Sequence, residues 1–235
     1  MKAVIIAGGQ GVRLRPFTTF VPKALVPIGD EPMISWIIQK LKISGISELY
    51  ISVGHLAELI EAFCGDGSKF GVKINYIRDP VPLGTIGPLS LLREKLNETF
   101  VIVNCDVLTD ADINKMIEFH KQNNSIFTLG LTNITHKISY GVIEKLENDV
   151  VNYNEKPEVH FPVSMGLHVL EPEALKYIPD NTKIDLPDFI MKLVSMHKPV
   201  KGYLHEGLWL DIGLPRDYDY ANENFVEIRK KILGE

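Results

Sequence analysis

The run Ala3-Val4-Ile5-Ile6-Ala7-Gly8-Gly9-Gln10-Gly11-Val12-Arg13-Leu14-Arg15-Pro16, with Pro22-Lys23 close behind, decides how this chain is read. Its apolar start predicts a buried strand over 2–7, and the glycines predict a tight loop at the strand's end. Glycines let a backbone come close to a ligand and offer it N–H groups. Arg13 and Lys23 add positive charge just downstream. The combination suits a polyphosphate, with Ala7, Gly8, Gly9 and Gly11 beside it. Leu14 stands where G-x-G-x-x-G needs its third glycine, and no Gly-Lys-Ser/Thr follows. The loop is therefore neither a dinucleotide fingerprint nor a P-loop. The plain alternative is a bare strand-to-helix turn, which has no use for two cations beside it.

Outward from this loop, strand and helix patterns alternate. Ile34, Ile37, Ile38 and Leu41 share a helix face, with Pro32 in the first turn and Gly45 at the end. Residues 48–53 read as a strand, and Leu56, Leu59, Ile60 and Phe63 as a second helix stripe. Val72, Ile74 and Tyr76 alternate as a strand before a loop from Arg78 to Thr85. A helix over 87–97 and a strand over 100–104 follow. Ile113, Met116, Ile117 and His120 then mark a helix before a strand at 126–132. This order predicts an α/β fold, a Rossmann-like and mostly parallel sheet flanked by helices. Beyond it, the short runs 141–145, 150–154, 163–170 and 200–204 predict a small antiparallel extension over the sheet's carboxyl edge. Asp185 and Pro187 start a short helix, and Pro215 starts a last one carrying Tyr218, Ala221, Phe225 and Ile228. The expected organisation is one domain over 1–235, with a first half 1–132 and a second half 133–235.

Composition excludes several classes. With 235 residues, 45% of them hydrophobic, and a net charge of −5, the chain offers no broad basic field to nucleic acid or an anionic membrane. No apolar run approaches the roughly 20 residues of a membrane span. The first strand begins too early to leave room for a signal peptide. Cys64 and Cys105 make no disulfide framework, which fits a reducing cytoplasm. The seven histidines lack zinc-like spacing, and His120 lies on a helix stripe, where core packing is expected. A homo-oligomer stays open.

In open α/β sheets, ligands sit outside the carboxyl ends of the strands. Asp106 closes the apolar strand Phe100-Val101-Ile102-Val103-Asn104, and a carboxylate there beside a phosphate site suits Mg²⁺. The alternative is a helix cap, for which Asp110 and Asp112 stand better. Asp211, in Trp209-Leu210-Asp211-Ile212-Gly213-Leu214-Pro215, is either a turn residue or the second carboxylate that Mg²⁺ binding needs. The apolar loop Pro82-Leu83-Gly84-Thr85 could present its backbone to a planar base. It also reads as a helix start, with Thr85 as cap and Pro88 in the first turn. Tyr140-Gly141-Val142-Ile143-Glu144 looks like a hairpin edge and Glu155-Lys156-Pro157 like a charged turn; neither carries a claim unaided.

Together, in order, these motifs resemble the sugar-1-phosphate nucleotidyltransferases (NDP-sugar pyrophosphorylases), and the match covers nearly the whole chain. The resemblance implies that Gly8, Gly9 and Gly11 wrap a nucleotide's phosphates and ribose. It implies that Arg13 grips the β- and γ-phosphates, that Lys23 neutralises the α-phosphate, and that Asp106 and Asp211 hold Mg²⁺. Leu83, Gly84 and Thr85 would border the base. Gly141 and Glu155 would meet sugar hydroxyls and Lys156 the sugar phosphate, with Tyr140 and Ser164 in the same set. The loop at Gly84 is most similar to guanylyltransferases of the family, and the second half, with Leu170-Glu171-Pro172 and Trp209–Gly213, resembles bacterial ones of the mannose-1-phosphate type, so GTP and a sugar 1-phosphate are the expected partners. Thymidylyl-, cytidylyl- and uridylyltransferases are the alternatives, as is a non-catalytic nucleotide-sugar-binding regulatory subunit. The expected setting is precursor supply for bacterial surface glycans. Two departures stand out: Asn104-Cys105-Asp106 where the family usually has Asn-Gly-Asp, and Ser164-Met165-Gly166 where it tends to have Asn-Ala-Gly. The cysteine must find room, and the large Met165 predicts an altered sugar pocket.

Overall fold

The structure, a computed structural model, describes residues 1–78 and 83–234; Pro82 of the expected base loop falls outside them. The strands are β1 (Lys2–Ala7), β2 (Pro27–Ile28), β3 (Glu31–Pro32), β4 (Glu48–Val53), β5 (Lys73–Arg78), β6 (Phe100–Asn104) and β7 (Val107–Thr109). After them come β8 (Phe127–Lys137), β9 (Val142–Leu146), β10 (Asp149–Asn154), β11 (Glu158–Leu170), β12 (Val200–His205) and β13 (Trp209–Asp211). The helices are α1 (Met33–Ile43), α2 (Ala57–Cys64), α3 (Ile113–Gln122), α4 (Leu186–Ser195), α5 (Pro215–Glu223) and α6 (Phe225–Leu233).

Ala3, Val4 and Ile5 are wholly buried, so β1 has no solvent face and belongs in the middle of a sheet. It pairs in parallel with β4 on one side and β6 on the other. The seven-stranded sheet runs β12-β8-β11-β6-β1-β4-β5, and only β11 is antiparallel to its neighbours. Alternation along β6 feeds two cores. Val101 and Val103 join the side covered by α1, α2, α3 and α6, while Phe100 and Ile102 join the side covered by α4 and a 3-10 segment, Gly87–Leu92.

The Rossmann-like reading therefore holds, with three local corrections. The run 163–170 and the run 200–204 lie in the central sheet, as parts of β11 and β12; of the four runs, 141–145 and 150–154 alone stand apart from it, as the antiparallel hairpin β9–β10. The helix expected over 87–97 is a 3-10 segment that stops at Leu92, beside which Arg93 reaches across to the Ile178 carbonyl and Asp180. The last helix breaks between α5 and α6, which lets the Phe225 ring lie on Gly29, where a Cβ would stand 2.5 Å from it.

His120 is buried as expected, with Thr128 at 2.8 Å and Glu171 at 3.2 Å. A second histidine is less ordinary. His168, on β11, packs 5.5 Å from the Phe127 ring, and neither ring nitrogen has a hydrogen-bond partner among the described residues. Burial pushes its pKa down to about 3. In the unfolded chain it titrates near 6.5, so between those values only the unfolded chain binds the proton. Stability from this residue is complete above about pH 6.5 and falls by about 1.4 kcal/mol per pH unit below it. Urea unfolding should show His168→Leu losing about 1.4 kcal/mol less than the native chain between about pH 7.5 and about pH 5.5. Equal losses would show that His168 does not set this slope.

Candidate active site

The carboxyl ends of β1, β4 and β6 open onto one cleft of about 470 Å³. At its first wall the chain leaves β1 through Gly8 and Gly9. Gly11 has φ of +62°, and a Cβ on it would stand 2.8 Å from Thr18 Cγ2 and 3.0 Å from Lys23 Cβ. Only glycine suits that position. The Thr18 hydroxyl donates to the Gly11 carbonyl at 2.7 Å, folding 12–22 back so that Lys23 lies beneath the loop. Ala7 is buried at the strand end, so its side chain packs in the core while the loop after it lines the cleft.

Next to Asp106, which lines the cleft, run two short strands that the sequence did not announce; they do not line the cleft themselves. β7 pairs antiparallel with β13, setting Val107 opposite Asp211, and the Ile212 N–H donates to the Asp106 carbonyl at 2.9 Å. Two carboxylates more than a hundred positions apart thus share one ribbon. Lys23, only 8% exposed, forms an ion pair with Asp106. Arg13 Nη1 lies 3.3 Å from Asp211 Oδ2. Gly213 marks where these groups meet: a Cβ there would stand 2.6 Å from both Lys23 Nζ and Arg13 Nη2, and 2.7 Å from Asp211 Oδ1. Asp211 also accepts the Gly213 N–H at 2.8 Å, so it is a turn residue as well as a cation partner. Asp217, buried at the start of α5, accepts the Asp211 N–H at 3.2 Å.

The second wall joins Leu83-Gly84-Thr85 to Lys183 and Asp185. Ile184 N–H donates to the Leu83 carbonyl at 3.0 Å, and Ile86 N–H to the Ile184 carbonyl at 3.1 Å. Asp185 Oδ1 accepts the Thr85 N–H at 3.0 Å, and Thr85 Oγ1 accepts the Leu186 N–H at 2.9 Å. Thr85 therefore caps α4, not the segment after it. The two loops cap each other across the cleft wall.

Cys105 finds its room inward. It is 6% exposed, packs in the core against the sheet, and burial pushes its thiol up to about 12, so it stays neutral. Met165 is likewise buried, over Gly130, where a Cβ would stand 2.8 Å from its Cγ. The core absorbs that side chain, and the Trp209 indole binds the Met165 carbonyl at 2.9 Å. Ser164 beside it is exposed. Tyr140, Gly141, Glu155 and Lys156 gather at the β9–β10 hairpin and do not line the cleft. There Tyr153 crowds Gly141 and donates to Glu155 at 2.8 Å, and Lys156 lies 3.7 Å from Glu155. Lys183 and Asp217 carry no signal in the sequence, and Gly213 reads there only as a turn glycine. Asp185 reads there only as a helix start, because its partner Thr85 is a hundred positions away.

Asp106 and Asp211 fit Mg²⁺ as two hard oxygen donors on one ribbon, each already able to hold a cation. The described residues contain no cluster of three or more His, Cys, Asp or Glu that could hold a metal. The remaining ligands would be phosphate oxygens and water, the usual company of Mg²⁺.

Residues 2–227 match the family model described as "Nucleotidyl transferase". The chain belongs to that family. It is 34% identical to mannose-1-phosphate guanylyltransferase 1 of Arabidopsis thaliana, over 98% of this chain and 66% of the plant protein. It is 32% identical to UTP–glucose-1-phosphate uridylyltransferase of Synechocystis, over 93% of this chain and 61% of that protein. The chain thus spans just under two thirds of the length of these curated relatives. The fold resembles HddC from Yersinia pseudotuberculosis complexed with GMP-PN, with a TM-score of 0.76 at 22% identity, covering 95% of this chain and 99% of that one. A UDP-glucose pyrophosphorylase complexed with UDP-glucose gives a TM-score of 0.72 at 20% identity, covering 96% and 98%. None of the described helices is long and apolar enough to cross a membrane.

The crowding at Gly213 makes it a sensitive test of the floor. Gly213→Ala requires only the flexible tips of Lys23, Arg13 and Asp211 to shift, so it should weaken nucleoside triphosphate binding about threefold and leave the fold intact. Calorimetric titration alongside a melting curve would check this. Unchanged affinity in a folded variant would mean these cations do not meet the nucleotide.

Proposed function

We propose that this chain transfers a nucleotidyl group from an NTP to a sugar 1-phosphate, releasing pyrophosphate, with GTP as donor and Mg²⁺ as metal. The observation that carries this reading is the convergence of Arg13, Lys23 and Asp211 on Gly213, with Asp106 paired to Lys23. Two cations and two carboxylates stand close together at a glycine-lined cleft. Such an arrangement suits a polyphosphate and its counter-ion better than either alone. A phosphate oxygen of the sugar 1-phosphate attacks the α-phosphorus, and pyrophosphate leaves in line. That oxygen is already anionic near neutral pH, so the site needs no general base. The work left to the protein is positioning and charge neutralisation.

Arg13 is more than half exposed, free to swing from Asp211 to the β- and γ-phosphates. Lys23 is held at the floor and meets the α-phosphate. Asp106 and Asp211, released from these partners, would hold Mg²⁺, which when bound neutralises charge on the reacting phosphates. Gly8, Gly9 and Gly11 cradle the nucleotide, and Leu83, Gly84 and Thr85 border its base. Guanine is favoured by the likeness of the Leu83-Gly84-Thr85 loop to guanylyltransferases and by the curated mannose-1-phosphate guanylyltransferase relatives. Lys156, Glu155, Gly141, Tyr140 and Ser164 receive the sugar 1-phosphate, which requires the hairpin to meet the cleft when substrate binds. The product class suits glycan precursor supply, and the reaction suits the cytoplasm, where NTPs are made.

Pyrophosphate release, read across five NTPs with mannose, glucose and other sugar 1-phosphates, tests the reading directly. Release should require Mg²⁺ and stop on chelation. No release with any pair would overturn it. Arg13→Ala should lower kcat by about 10²–10³ while the fold survives; a native rate would remove Arg13 from the mechanism. Lys156→Ala should raise KM for the sugar phosphate more than it lowers kcat, since it meets a ground-state phosphate. An unchanged KM would count against that role.

A further inference from the structure

Three lysine and arginine side chains line the cleft among the described residues, and two of them are spoken for. Arg13 pairs with Asp211 and Lys23 with Asp106. The third, Lys183, forms no ion pair among the described residues and belongs to the opposite wall, beside Leu83, Gly84 and Thr85. Its backbone is fixed there. The next residue, Ile184, makes hydrogen bonds to both Leu83 and Ile86, and Asp185 holds Thr85. The contact is so close that a Cβ on Gly84 would stand 2.7 Å from both Ile184 O and Asp185 Oδ1.

These same bonds engage part of the loop's polar surface. The Thr85 N–H goes to Asp185, and the Thr85 hydroxyl accepts from Leu186. Leu83 is wholly buried and apolar. The Leu83–Thr85 wall can therefore flank the face of a base, with the Thr85 hydroxyl hydrogen as its remaining side-chain donor. The Lys183 ammonium is a further side-chain donor beside it, and the charged one.

We infer that Lys183 is a specificity-determining residue, selecting bases that present a keto oxygen at the edge it faces over bases that present an amino group there. This rests on the proposed nucleotidyl transfer, which sends the phosphates to Arg13 and Lys23 and the base to the Leu83–Thr85 wall. An ammonium group only donates hydrogen bonds. Guanine offers it the acceptors O6 and N7, and thymine or uracil offers O4. Adenine and cytosine set an amino donor at the corresponding place, which a lysine repels. The residue thus separates GTP from ATP, and UTP or dTTP from CTP.

The test is nucleotide affinity and kcat/KM for GTP, ITP and ATP, measured on the native chain, Lys183→Met and Lys183→Arg. ITP keeps O6 and N7 and lacks only the 2-amino group. In Lys183→Met the preference for GTP over ATP should fall by about 10- to 100-fold. ITP should weaken with GTP while ATP holds or improves, and Lys183→Arg should keep most of the preference. A structural or phosphate-binding lysine would weaken all three nucleotides together, and that result would overturn the assignment. So would equal loss of preference in Lys183→Arg and Lys183→Met. If the native enzyme proves to use UTP or dTTP, the guanine reading fails by itself. The Lys183 assignment is then read on the UTP-to-CTP ratio, which should fall in the same way. Calorimetric affinities give the same ratios even if no sugar phosphate supports turnover.

Discussion

A buried lysine that must find a carboxylate organises this molecule. Lys23 is almost wholly enclosed beneath the glycine loop, where an unpaired ammonium would be costly. Asp106 meets it, so the end of β6 and the turn after Pro22 have to come together. Asp106 in turn fixes where β13 can pair, because the Ile212 N–H bonds its carbonyl. Asp211 then arrives beside it and takes Arg13. A single charge-pairing requirement thus links residues from both ends of the chain around Gly213, and the buried Asp217 carboxylate holds the Asp211 backbone from behind.

The second wall is built on a different principle. There the partners are neutral backbone groups and two short side chains, Thr85 and Asp185, each satisfying an N–H of the other's segment. Such exchanged caps hold the loop ends without closing the cleft. The contrast suits a site that must grip a polyanion strongly at one end and discriminate flat, weakly polar groups at the other. Under the proposed function, charge supplies affinity at the phosphate end, and fixed backbone with Lys183 supplies selectivity at the base end.

The two departures from the usual motifs show how a core can absorb change. Cys105 and Met165 are larger than the residues that usually stand there, yet both side chains turn inward and are buried. Met165 fills the space over Gly130, where a larger residue than glycine would not fit. Cys105 packs into the core while still lining the cleft, and Asp106 beside it keeps its place there.

Much of this was written in the one-dimensional pattern. Unbroken apolar runs announced the central strands, the 3.6-residue stripes announced α1, α2 and α3, and Asp112 announced its own cap. The glycine loop, Arg13, Lys23, Asp106 and Asp211 could be singled out because their chemistry is unusual where it stands. The sequence did not reveal which strands beyond residue 132 join the main sheet, since β11 and β12 look locally like any short strand. Nor did it reveal that Thr85 caps α4, that Lys183 lines the cleft, or that Gly213 is where the charges meet. Those facts depend on contacts between residues about 100 to 200 positions apart. Local periodicity records what one stretch buries. Which stretch lies opposite is chosen by packing and hydrogen-bond satisfaction across the whole chain, and only the tertiary structure carries that choice.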